Sequence, residues 1–247
     1  MMFDNFYKKF GIKVPEGVLF YPCAGYDSLE PIELFGSLVD NMVFADIRDV
    51  KLPHPNCDMI FYHNVKSRVY KEKSQGEIHR GIIEEVHINL ENRNLDISRS
   101  LNNYFSINLG SIRTVNRSKK VEWFLEDKSK IKLTTIKNDG FLSLLTLNDI
   151  SVFFYRGDSP GEGGSGQWWF SPQLFKILTS KLVNGAIIVT DGNNFHPSYR
   201  DVSWSPLRER ENRKDFEFND IYFEYIGEYE ETHRVCGIWR TTRRNRK

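Results

Sequence analysis

The sequence predicts an α/β protein whose mostly parallel sheet ends in a C-terminal antiparallel hairpin. Three observations carry that prediction. Short apolar runs at Val18–Tyr21, Met42–Ala45, Ile150–Tyr155 and in AIIVTDG have the length and composition of strands. Segments with helical spacing lie between several of them. The last stretch, DIYFEYIGEYEETHRVCGIWRTTR, holds two strand runs separated by Glu230–Glu231–Thr232.

Taken in order, MMFDNFYKKFGIKVPEG reads as a short amphipathic segment packing near the first strand. It has no continuous apolar core after its basic residues, so it does not read as a secretory signal. The strand Val18–Tyr21 follows, then a tight turn with Pro22, Ala24 and Gly25. Leu29, Ile32, Leu34, Phe35, Leu38 and Val39 fall near helical spacing, with Ser28 as a cap and Pro31 in the first turn. Met42–Ala45 then forms a second strand closing on Asp46.

This strand, turn, helix and strand suit a nucleotide-like ligand. A turn from a strand into a helix points backbone N–H groups above the sheet. A carboxylate about twenty residues later, at the tip of the neighbouring strand, is placed to accept hydrogen bonds from ribose hydroxyls. A strand-ending aspartate and a turn glycine describe Asp46 and Gly25 equally well.

The run LFYPCAGYD, followed by a helix and VFADI, resembles the first two strands of the class I S-adenosylmethionine-dependent methyltransferases. More closely, it resembles methyltransferase-like proteins with a YPGAGxD-type first loop. The resemblance implies a Rossmann-like, methyltransferase-type sheet. It implies S-adenosylmethionine as cofactor, with Tyr21, Pro22, Cys23, Ala24, Gly25 and Asp27 lining its methionine side and Asp46 holding its ribose. The chain departs from the common pattern of an acid followed by alternating glycines. Tyr21 falls on the acid, Cys23 and Asp27 fall on glycines, and only Gly25 matches.

The middle third changes character. LPHPNCD is a loop, DMIFYHNV a short strand, and EIHRGIIEEVHINLENRNLD a long strand or frayed hairpin. KVEWFLE and KIKLTTI are strands joined by Asp127–Lys128–Ser129, and Asp139–Gly140 signals another turn. The region 51–140 therefore reads as an antiparallel-rich insertion, holding the third strand of the main sheet, within a single domain of residues 1–247.

From Asp149 the main pattern resumes. Ile150–Tyr155 runs into a glycine-rich loop, and Phe170, Leu174, Ile177, Leu178 and Leu182 continue at helical spacing to a stop at Gly185. A late antiparallel hairpin matches the end of the methyltransferase fold. The resemblance spans the first fifty residues and the last hundred, and the middle third only weakly.

The loop after Tyr155 is the most specific feature. Gly157, Gly161, Gly163, Gly164 and Gly166 fall within ten residues, among Arg156, Asp158, Ser159 and Glu162. Glycine costs conformational entropy, so this density suggests a close backbone approach to a ligand or a moving lid; a loose surface loop has the same composition. By resemblance, Arg156, Asp158 and Glu162 would orient the methyl acceptor as catalytic residues. Asp158 would accept a proton and Arg156 would hold an anionic group, or Arg156 and an acid would simply pair. Trp168 and Trp169 are expected to divide between core and cleft.

Other features exclude more than they suggest. The composition, 40% hydrophobic and 14% aromatic over 247 residues, supports a full core, and a net charge of +1 gives no argument for a nucleic-acid partner. Three dispersed cysteines suit a reducing compartment, and six scattered histidines show no metal-ligand spacing. Cys23 reads as a small turn residue or an activated thiol. No run reaches membrane-spanning length, so a cytoplasmic protein is expected. The reading is a methyltransferase-like enzyme using S-adenosylmethionine on a small-molecule or other acceptor. The alternative is a non-catalytic scaffold of the same fold, acting as a binding or regulatory module.

Overall fold

The computed structural model describes residues 5–25, 27–36, 38–50, 52, 84–86, 117–124, 130–156, 169–170, 172–192, 205–207, 210–231 and 234–244. In chain order the elements are α1 (Asn5–Phe10), β1 (Val18–Pro22), α2 (Leu29–Phe35), β2 (Asn41–Asp46), β3 (Glu84–Val86), β4 (Arg117–Phe124) and β5 (Lys130–Lys137). They continue as α3 (Gly140–Thr146), β6 (Ile150–Tyr155), α4 (Pro172–Lys181), β7 (Leu182–Thr190), β8 (Phe216–Phe218), β9 (Ile221–Glu231) and β10 (Arg234–Arg243).

The ten strands among the described residues join one sheet in the order β3-β4-β5-β2-β1-β6-β7-β10-β9-β8. The central strands β5, β2, β1, β6 and β7 run parallel. β10 lies antiparallel between β7 and β9, so β9 runs in the direction of the central strands. This is the α/β, Rossmann-like, methyltransferase-type arrangement: a mostly parallel sheet with its C-terminal hairpin folded in so that the last strand lies inside.

β1, β2, β6 and the second half of β7 read as continuous apolar runs because helices cover both faces. One face gathers Phe20, Val43, Ala45, Phe153, Tyr155 and Ile188 with Phe141 and Leu144 of α3 and Leu174, Phe175 and Leu178 of α4. The other gathers Leu19, Tyr21, Phe44, Val152, Phe154 and Val189 with Phe6 of α1 and Ile32 and Phe35 of α2. The rings of Phe6 and Phe35, 4.8 Å apart, tie α1 to α2. Trp169 is buried beside Phe20, Phe153 and Tyr155.

Several local expectations change. α2 ends at Phe35, before Leu38 and Val39, and Ser28 is in helical conformation with no capping side-chain bond. Asp139–Gly140 starts a helix rather than a simple turn, since the Asp139 carboxylate accepts from the N–H groups of Phe141 and Leu142. α4 begins after Phe170 and stops at Lys181, so Leu182 and Gly185 belong to β7. Gly185 does not end the helix. Its φ of +83° lets β7 slip register against β6, where Ile150 pairs with Leu182 but Val152 pairs with Ile187.

The two strands expected from KVEWFLE and KIKLTTI pair antiparallel as β4 and β5, and β5 also pairs parallel with β2 as a member of the main sheet. Most of region 51–116, including PHPNCD and DMIFYHNV, lies outside the described residues. Among the described residues, no helix is long and apolar enough to cross a membrane.

Candidate functional site

The sheet order selects where a ligand would lie. From β1 the chain steps outward to β2 and β5, then returns to the other side of β1 for β6 and β7. The carboxyl ends of β1 and β6 therefore flank a topological switch point, the place where open α/β sheets form a crevice.

A charged cluster spans that point. Arg156, the residue after β6, is 6% exposed. Its Nε donates to Asp27 Oδ2 at 2.6 Å, and its Nη2 donates to Asp27 Oδ1. Its Nη1 forms an ion pair with Glu30 Oε2 in the first turn of α2. The Tyr21 hydroxyl donates to Asp27 Oδ2 at 2.9 Å. The guanidinium also lies 5.8 Å from the Phe154 ring centroid, a cation–π distance. Burial first, and then the Asp27 charge, hold the Tyr21 phenol well above its ordinary pKa, so it stays a hydrogen-bond donor.

Asp46 stands one strand away. Its Oδ2 accepts from Gly25 N–H at 3.0 Å and its Oδ1 from Arg48 N–H at 2.7 Å. Its main-chain carbonyl accepts from Asn138 N–H at 2.8 Å, which brings the end of β5 alongside. Gly25 serves this geometry through its φ of +50°, a backbone conformation that residues with side chains rarely adopt.

The first loop directs several donors inward. Ala24 N–H donates to Ala45 O, Gly25 N–H to Asp46, and Asp27 N–H to Ala24 O. Pro22 has no N–H to offer. Cys23 is half-buried and adopts φ of +59°, uncommon for a residue with a side chain.

Of the residues singled out from sequence, the structure brings Tyr21, Asp27 and Arg156 into one cluster, and Gly25 and Asp46 into one bond. Pro22, Cys23 and Ala24 form the turn between them. Asp158, Glu162, Trp168 and the five loop glycines lie outside the described residues. Sequence reasoning passed over Glu30, whose pairing is visible only once β6 lies beside β1. It also passed over Asn138 and Asp139, although an aspartate before an apolar run is a helix-capping signal.

No family model matches the sequence, and no curated protein matches it. Among solved structures, a similarity is found to Trm1 from Pyrococcus horikoshii in complex with S-adenosyl-L-methionine, at 9% identity and a TM-score of 0.36. It covers 92% of this chain, which spans 50% of that one. The fold assignment rests on the strand order above.

Proposed function

We propose that this chain binds S-adenosylmethionine beyond the carboxyl ends of β1 and β2 and directs its methyl group to an acceptor held near the end of β6. The observation that carries the reading is Asp46. It ends β2, braces the first loop through Gly25, and stands at the strand tip about twenty residues past that loop, where a ribose-binding carboxylate belongs. Tyr21, Pro22, Cys23, Ala24, Gly25 and Asp27 would line the amino-acid side. When bound, the cofactor supplies an electrophilic methyl group on a sulfonium. The chain's own part is to position the acceptor and receive its proton, work for which Arg156, Asp158 and Glu162 are the proposed residues.

Calorimetric titration with S-adenosylmethionine and S-adenosylhomocysteine, with NADH as control, tests the reading. Micromolar binding of the first two alone is the expected result. The Arg156 cluster favours a second reading, a non-catalytic scaffold, because buried side chains already cross the switch point. Absence of binding to all three compounds would select it.

A further inference from the structure

We propose that Arg156 and the Tyr21 hydroxyl form a carboxylate-binding subsite in which Asp27 is an internal stand-in, displaced when a ligand carboxylate enters. The proposal rests on the reading above only for where the ligand lies.

The argument is an asymmetry between two carboxylates on one guanidinium. Glu30 is 5% exposed by side chain and pairs with Nη1, whereas Asp27 is 39% exposed and takes Nε and Nη2. The Nε–Nη2 edge is the fork that matches a carboxylate in two-point contact, and Tyr21 adds a third donor to the same group. Glu30 is enclosed and keeps the cation neutralised whatever occupies the fork. Asp27 stands at the mouth, on a loop rather than a strand, so it can leave without exposing a buried charge. A ligand carboxylate taking its place would keep every donor satisfied.

The chemistry specifies a carboxylate but not its source, which is either the amino-acid end of the cofactor or an acidic acceptor. Replacing Asp27 empties the fork and separates these cases. Thermal unfolding of Asp27→Ala is measured with sodium acetate against sodium chloride at equal ionic strength. Acetate is expected to raise its melting temperature by several degrees and leave that of the wild type unmoved. Equal shifts in both proteins, or none in either, would overturn the proposal.

Asp27→Asn, which keeps the shape of the loop, serves if the alanine variant does not fold. Acetate is then expected to protect Asp27→Asn from heat and to protect Asp27→Asn/Tyr21→Phe less; failure to protect Asp27→Asn overturns the proposal. Titration of the folded variant with S-adenosylmethionine and its decarboxylated analogue assigns the source. An affinity ratio raised about tenfold over wild type places the cofactor's carboxylate in the fork, and an unchanged ratio beside acetate protection places the acceptor's there. Failure of the cofactor to bind at all leaves the acetate result standing and removes only the functional reading.

Discussion

The guanidinium of Arg156 holds the carboxylate of Asp27 in a two-point contact across 129 residues of chain. That contact joins the end of β6 to the loop after β1, and Glu30 extends it into α2. The crevice of the sheet is therefore crossed by an ion-pair network, enclosed at Arg156 and Glu30 and open at Asp27, rather than lined by separate side chains.

Removing Arg156 should be far more damaging than removing the whole buried pair. Arg156→Leu leaves the Glu30 carboxylate enclosed and uncompensated, at a cost of about 3–5 kcal/mol. Adding Glu30→Leu to it should recover most of that loss, since apolar pairs of similar volume substitute well for buried ion pairs. Urea denaturation of the single and double variants checks both, and equal losses would show that the network is solvated.

Asp46→Ala should weaken S-adenosylmethionine binding more than tenfold, because ribose hydrogen bonds to a charged acceptor are lost. It should also lower stability by about 1–3 kcal/mol, since the Gly25 and Arg48 N–H groups lose their partner. Calorimetry and thermal melts separate the effects. Unchanged affinity would remove Asp46 from the site.

Tyr21 predicts an alkaline limb. Its folded pKa lies above the ordinary value of 10.0, raised first by burial and then by Asp27. Above pH 10 the unfolded chain releases this proton while the native state retains it, so stability falls as pH rises through that range. Below pH 10 the contribution is fully present. Tyr21→Phe should flatten this part of the decline, measured as denaturation midpoints against pH.

Gly140→Ala should strain the end of β1, where the first loop begins. The added Cβ would lie 2.8 Å from Pro22 Cβ and 3.1 Å from Trp169 Cζ2. Neither ring can yield freely, so a loss of about 1–3 kcal/mol is expected by chemical denaturation. A neutral substitution would show that α3 can shift away from β1.

The candidate site was legible in its local parts. The turn after β1 and the carboxylate ending β2 are both written within thirty residues, and their bond joins Gly25 to Asp46 over 21 positions. Ser28 and Gly185 misled for the opposite reason. A serine before a helix and a glycine after one are common signals, but here α2 begins without a side-chain cap and β7 absorbs Gly185 as a register slip. For Gly185, pairing of β7 with β6 overrode the local preference.

By itself the sequence determined the strands β1, β2 and β6 and the closing hairpin, because two-sided burial demands continuous apolar runs and those runs are local. The tertiary structure alone decided that Arg156 meets Asp27 and Glu30, and that β10 lies inside the sheet. Both depend on which strands become neighbours. That order is set by burying the two faces of the sheet beneath α1 to α4, a condition no single segment records.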